Sequence, residues 1–213
     1  MENLSARSVA GALLDIGAVF VRPDQPFTWV SGIHSPIYTD NRLVLTAPEV
    51  RKGIEDTLAA MIAREFADAE VLMGTATAGI PHAALAAERL GLPMGYVRGE
   101  AKDHGRGNRI EGKLQAGQRV VVVEDLISTG GSVLATVAAL RDAGAQVLGV
   151  AALFTYGMQA AKDTFHAASV PLHTLTTFDD AIEEAAARGQ ISEEDLPRLR
   201  AFRDNPHDES WMK

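Results

Sequence analysis

The sequence predicts an α/β protein in which a parallel sheet is flanked by helices on both faces. Two observations carry this expectation. From residue 46 onward, short apolar runs alternate with longer segments of helical period, which is the pattern of successive βαβ units. Among those runs, Val120–Val123 is an unbroken stretch of valines, as befits a strand buried on both of its faces. A chain of 213 residues, 46% of them hydrophobic and 23% charged, fits a single domain with a small subdomain attached.

The elements follow in order. Leu4–Ile16 reads as a helix, apolar at Leu4, Val9, Leu13 and Ile16 and stopped near Gly17. Residues 27–45 mix β-formers with Ser-Gly and Ser-Pro turns and read as extended or turn-like. A second helix opens with Thr46 as cap and Pro48 in its first turn. Its apolar stripe runs Val50, Ile54, Leu58, Met61, Ile62, with Phe66 closing it. Next come a strand over Val71–Met73, a helix from about Ile80 to Leu90 and a strand over Met94–Val97. After a long loop come the strand Val120–Val123, a helix after Gly131 and a strand over Val147–Phe154. A weaker helix covers 158–168, and a short strand lies near Leu172–Leu175. Helices near 179–187 and 193–203 end the chain, the latter capped by Ser192 and followed by Pro206. There is no internal repeat and no low-complexity segment.

The chemistry concentrates in VVVVEDLISTGGS, residues 120–132. Glu124 and Asp125 fall where the valine strand should end, at the carboxyl edge where open α/β folds bind ligands. Leu126 and Ile127 lead into Ser128, Thr129, Gly130, Gly131 and Ser132, small residues whose backbone N–H groups can wrap an anion. The helix that follows presents its N-terminus to the same anion. A phosphate cradle beside two carboxylates suits a ligand carrying both a phosphate and a sugar diol. A Walker loop is excluded because no lysine follows the glycines, and a dinucleotide fingerprint because their spacing is wrong. On the Gly-Gly turn alone, an ordinary strand–turn–helix with an acidic cap remains the alternative. A second turn, Gly74–Gly79, is also built of small residues between a strand and a helix, which lets backbone amides approach a ligand but on its own equally fits a tight connection selected for packing. His82, alone on the following helix, reads as structural.

Composition narrows the rest. With no cysteine, disulfides, thiolate nucleophiles and thiolate metal sites are excluded. A net charge of −8 argues against broad nucleic-acid binding. The N-terminus lacks a basic segment followed by an apolar core, and no run approaches membrane-spanning length, so a cytoplasmic location is expected. The six histidines are scattered, with no H-x-x-x-H pair, so direct ligation of a metal by side chains is not expected. Magnesium is expected to ride on the substrate phosphates and keep its waters.

Cations gather between residues 98 and 113, where Arg98, Lys102, Arg106, Arg109 and Lys113 stand against Glu100, Asp103 and Glu111, with His104 among them. The spacing of the basic residues is that of a solvated helix face. Gly99, Gly105, Gly107 and Gly112 oppose a helix, each costing about 1 kcal/mol relative to alanine, and Ile110 is the lone apolar residue. The segment therefore reads as a long mobile loop, suited to close over pyrophosphate.

Residues 120–132 resemble the signature for phosphoribosyl pyrophosphate (PRPP) of type I phosphoribosyltransferases. PFTWVSGIHSPIYTDNR, VRGEAKDHGRGN and FRDNPHDESW are similar to the hood, catalytic loop and C-terminus of the orotate phosphoribosyltransferase family, the last in its bacterial branch. The resemblance spans nearly the whole chain. It implies one phosphoribosyltransferase domain over 1–213, a hood over about 1–45 and a mobile catalytic loop over 98–113. It also implies a homodimer whose loop acts in the partner's site, and transfer of ribose 5-phosphate from PRPP to orotate in pyrimidine synthesis. By the same resemblance Glu124 and Asp125 bind the ribose hydroxyls, and residues Leu126 to Ser132 surround the 5-phosphate. Arg98, Lys102 and His104 contact pyrophosphate, with Lys102, His104, Glu124 and Asp125 catalytic. Ser128, Tyr38 and Thr39 meet orotate, and Gly74–Gly79 holds pyrophosphate. The chain departs from many members at Gly99, where they carry lysine, from some at Ala78 and Val30, where they also carry lysine, and from some at Tyr156, where they carry the arginine that binds the orotate carboxylate. Hood backbone N–H groups are then candidate carboxylate donors. Two rivals are a purine phosphoribosyltransferase, which would differ in its hood, and a PRPP-sensing regulator without turnover.

Overall fold

The computed structural model describes residues 3–29, 31–99 and 109–212. A six-stranded sheet forms its centre, built from β5 (Val71–Thr75), β6 (Met94–Val97), β7 (Ile110–Glu111), β8 (Arg119–Ile127), β9 (Gln146–Thr155) and β10 (Leu172–Thr177). The strand order is β10-β9-β8-β5-β6-β7. Every pairing is parallel except β6 with β7. The valine run behaves as its composition requires. Val121 and Val123 enter the core under α1 (Ala6–Asp15), α2 (Pro48–Glu65), α3 (Gly79–Leu90) and α6 (Phe178–Ala187). Val120 and Val122 enter the opposite core under α4 (Gly131–Asp142) and α5 (Gln159–Ala168). Alternation along one strand thus feeds two hydrophobic layers.

Residues 19–39 stand apart from this sheet. β1 (Val19–Val21) pairs antiparallel with β4 (Ile37–Thr39), and β2 (Phe27–Thr28) with β3 (His34–Ser35). A 3-10 turn over Asn41–Thr46 then leads into α2. An aromatic column fastens this region to the body. Trp29 lies 5.2 Å from Tyr156 and 5.9 Å from Phe202, and Phe202 meets Phe178 and Trp211. Phe202 comes from α7 (Leu196–Asp204) and Trp211 from the C-terminal turn, so the end of the chain buttresses its beginning. His34 Nδ1 and Glu209 Oε1, 2.7 Å apart, add a polar tie between the same segments.

Four expectations need correction. Thr46 does not cap α2: its hydroxyl donates to the Leu43 carbonyl, because the 3-10 turn uses it first, and the cap position falls to Ala47. The strand carrying the acidic pair does not end there but continues to Ile127. The cationic segment is not loop throughout. Arg98 donates its N–H to the Arg109 carbonyl at 2.8 Å, and Ile110 is buried beside Val97 as β7. Period alone gave no sign of a two-residue edge strand anchored by one isoleucine. β1, which had no expected counterpart, is the fourth, a three-residue strand too short to show alternation. Ser192 does cap, though its turn is the 3-10 segment Glu193–Asp195 that precedes α7. Among the described residues, no helix is long and apolar enough to cross a membrane.

Candidate active site

β8 pairs with β5 only as far as Gly74 opposite Val123, while its pairing with β9 continues through Glu124, Leu126 and Ile127. The acidic pair therefore lies just past the last β5–β8 pair, Glu124 level with Thr75 at the end of β5 and Asp125 beyond it, on a strand still held by β9. Strand-end carboxylates arise here from unequal strand lengths rather than from a strand terminus. A cleft of about 390 Å³ opens at this step, bounded by Ala76–Ala78 on one side and by residues 124 to 133 on the other.

Both walls depend on glycine. A Cβ on Gly79 would lie 2.4 Å from the Val123 carbonyl oxygen, so the turn after β5 presses its backbone directly onto β8. Gly130 caps α4 at φ +85°, a left-handed conformation that favours glycine, and a Cβ there would also meet the Phe165 ring at 2.9 Å. Ser128 is half-buried, Thr129, Gly131 and Ser132 are exposed, and Ile127 is buried in the α4–α5 core. Leu126 packs against the other core. Leu126 and Ile127 thus face the cleft with backbone, and the following residues offer N–H groups at the start of α4, an arrangement suited to an anion.

Glu124 is 8% exposed and Asp125 half-buried. The Asp125 N–H donates to Glu124 Oε1 at 3.0 Å. Burial first, and then the neighbouring Asp125 carboxyl, push the Glu124 pKa up to about 8. Two carboxylates this close to one cleft disfavour a second negative charge until a cation or a hydroxyl-bearing ligand arrives. Among the described residues no group of three or more His, Asp or Glu could hold a metal ion. The pair can supply at most part of a coordination shell, which fits a magnesium ion that draws its other ligands from water and phosphate oxygens.

The hood reaches this pair through a residue that the sequence reading passed over. Asn41 is fully buried and donates from Nδ2 to the Asp125 carbonyl at 2.7 Å. Next to it, Tyr38 is 41% exposed and Thr39 is buried, as alternation along β4 requires. Tyr38 stacks at 5.6 Å on Phe27. Thr39 faces inward toward Tyr156, whose hydroxyl pKa burial raises to about 12, so that it stays a neutral donor. Tyr38 and Asp125 also lie within electrostatic reach of that hydroxyl. Tyr156 marks where the hood, β8 and the end of β9 converge. The signal for Asn41 was present only as a single polar residue beside a turn, which does not distinguish a strut from a surface side chain.

Arg98 Nε lies 3.1 Å from Glu111 Oε1 at the mouth of the cationic segment. Lys102 and His104 lie outside the described residues, as does Val30. His82 is far from solvent, its Nδ1 2.5 Å from Glu55 Oε1 with both side chains fully buried, where it ties α3 to α2.

Comparison with known proteins agrees with the geometry. Residues 44–185 match the phosphoribosyl transferase domain family. The chain is 53% identical over 205 residues to an orotate phosphoribosyltransferase of Bacillus subtilis, covering 96% of this chain and 95% of that one. It is 56% identical over 203 residues to that of Bacillus caldolyticus, covering 95% and 97%. The solved orotate phosphoribosyltransferase of Aeropyrum pernix superposes with a TM-score of 0.74 at 32% identity, covering 86% of this chain and 99% of that one.

The raised Glu124 pKa fixes the sign of a pH effect. Between the ordinary value of 4.5 and about 8, the folded protein keeps a proton that the unfolded chain has released. Stability present below this window is therefore lost as pH rises through it. Denaturant unfolding at about pH 5 and about pH 9 should show a loss in the wild type that Glu124→Gln lacks, on the order of a few kcal/mol. Equal losses in the two proteins would show that Glu124 ionises normally in the fold.

Proposed function

Because the chain belongs to the phosphoribosyl transferase domain family and, within it, to the orotate phosphoribosyltransferases, which transfer ribose 5-phosphate from PRPP to orotate in pyrimidine biosynthesis, we propose how its cleft divides that work. The carrying observation is the single cleft that joins the Glu124–Asp125 pair to the small-residue turn at the N-terminus of α4. The turn holds the 5-phosphate by backbone N–H groups, and the carboxylates accept hydrogen bonds from the two ribose hydroxyls. Ala76–Ala78 forms the opposing wall, where pyrophosphate leaves. The base enters from the hood side, between Tyr38, Thr39 and Ser128.

Displacement at the anomeric carbon passes through an oxocarbenium-like state, with positive charge on the sugar and negative charge on the departing pyrophosphate. Asp125 and Glu124 favour the first, and Arg98, Lys102 and His104 offset the second. Removing one such preorganised group weakens catalysis by about 10²–10³-fold. Glu124 and Asp125 are the residues near which magnesium would lie, and when bound on PRPP the ion supplies further neutralisation of the phosphates. We place the enzyme in the cytoplasm as a homodimer.

Orotate should be consumed only when protein, PRPP and magnesium are all present, while adenine, hypoxanthine and guanine should not react. A comparable rate with any purine would contradict the substrate, and PRPP binding without turnover would point to a regulator.

The dimer reading makes Lys102 act in the partner's site. Lys102→Ala and Asp125→Asn homodimers should each be nearly inactive. After subunit exchange, each heterodimer would hold one site with both lesions and one with neither. Random mixing then restores activity to about one quarter of wild type. No recovery despite demonstrated exchange would mean that the loop serves its own subunit.

A further inference from the structure

Orotate differs from the other pyrimidine bases by a carboxylate, and a site that selects it needs donors placed for that group. The hood contains such a donor set around Arg42. Asp40 accepts from Arg42 Nε at 2.6 Å and from Nη2 at 2.8 Å, and from the Arg42 backbone N–H at 3.2 Å. Asp40 is itself fixed by its own N–H, which donates to the Ala18 carbonyl at 2.7 Å. One edge of the guanidinium is thus locked. The other edge, Nη1 with the second hydrogen of Nη2, faces outward on a side chain that is 66% exposed. A planar fork with one edge held and the other open matches bidentate binding of a second carboxylate.

The position of this arginine gives it a target. It opens the same turn as Asn41, whose side chain reaches the Asp125 carbonyl. Asp40 does most to hold the Arg42 pKa above its ordinary value, and Tyr38 and Asp125 add to it from nearby. Tyr38 and Asp125 are also the groups whose charge reaches the Tyr156 hydroxyl, so Arg42 and Tyr156 address one region. That region has unused polar capacity. The buried Asn41 Oδ1 has no hydrogen-bond partner among the described residues, and such a group is costly unless a ligand completes it.

We propose that Arg42, held by Asp40, is the specificity-determining residue that receives the orotate carboxylate. The inference rests on the base entering beside Tyr38. It assigns to a cation on the hood turn the contact for which Val30, Ala78 and Tyr156 provide no positive charge. Arg42 acts through binding rather than on the anomeric carbon. Its loss should therefore raise the KM for orotate and leave the KM for PRPP unchanged.

Equilibrium binding separates this role from a general electrostatic or structural one. Orotidine 5′-monophosphate and uridine 5′-monophosphate differ only in the carboxylate, so the ratio of their affinities isolates it. In Arg42→Gln that ratio should fall by about tenfold to a hundredfold, the range for losing a charge-assisted pair. Arg42→Lys should restore part of it, because it keeps the charge without the fork. An unchanged ratio in Arg42→Gln would overturn the proposal, and so would an equal weakening of both nucleotides. Unchanged melting temperatures would confirm that both variants fold, as exposure of the side chain leads one to expect. Tyr38→Ala tests the underlying reading separately. If it alters neither orotate KM nor either nucleotide affinity, the base does not enter there, whatever Arg42 does.

Discussion

The pairing of β8 with β5 stops at Val123, and both carboxylates lie beyond that last pair on a strand that β9 still holds. The remainder of the site is arranged around it. The turn after β5 can lie against β8 only because Gly79 carries no side chain near the Val123 carbonyl. The turn after β8 can lead into α4 only because Gly130 takes a left-handed conformation. On the third side Asn41 donates to the Asp125 carbonyl and brings the hood with it. The unequal lengths of β5 and β8 are what convert a core strand into a binding edge.

The acidic pair also sets the electrostatics. A buried Glu124 beside Asp125 resists ionisation, so the two carboxyls hold less negative charge than the sequence suggests. Ligand hydroxyls, and a cation travelling with the phosphates, restore the conditions under which both carboxylates can be charged. The same arrangement that costs stability at high pH thus favours binding of a sugar that will develop positive charge. In a chain of net charge −8, cations that meet polyanionic ligands must be brought in locally. Arg98 and Arg42 enter from two different segments, one at the base of the cationic loop and one on the hood.

Much of this was legible in the residues. Four valines buried on both faces, two carboxylates and a glycine turn specify in thirteen positions a core strand, the cleft at its edge and the helix start that follows. They do so because period, charge and backbone freedom all agree there. What escaped was of two kinds. β1 and β7 are two or three residues long, and their pairing is decided by partners distant in sequence, so no local period announces them. Asn41 and Arg42 are single polar residues whose placement comes from the convergence of the hood turn, β8 and β9. Only tertiary packing creates that convergence. Thr46 failed for a related reason, since a 3-10 turn immediately upstream competed for its hydroxyl.

The account stands on Asp125 contributing charge beside the ribose rather than shape to the strand. Asp125→Asn changes that charge at nearly constant volume and leaves the backbone carbonyl free to receive Asn41. Its melting temperature should remain near that of wild type while kcat/KM falls by about 10²–10³-fold. A variant with near-wild-type kcat/KM would contradict the assignment of these carboxylates to catalysis.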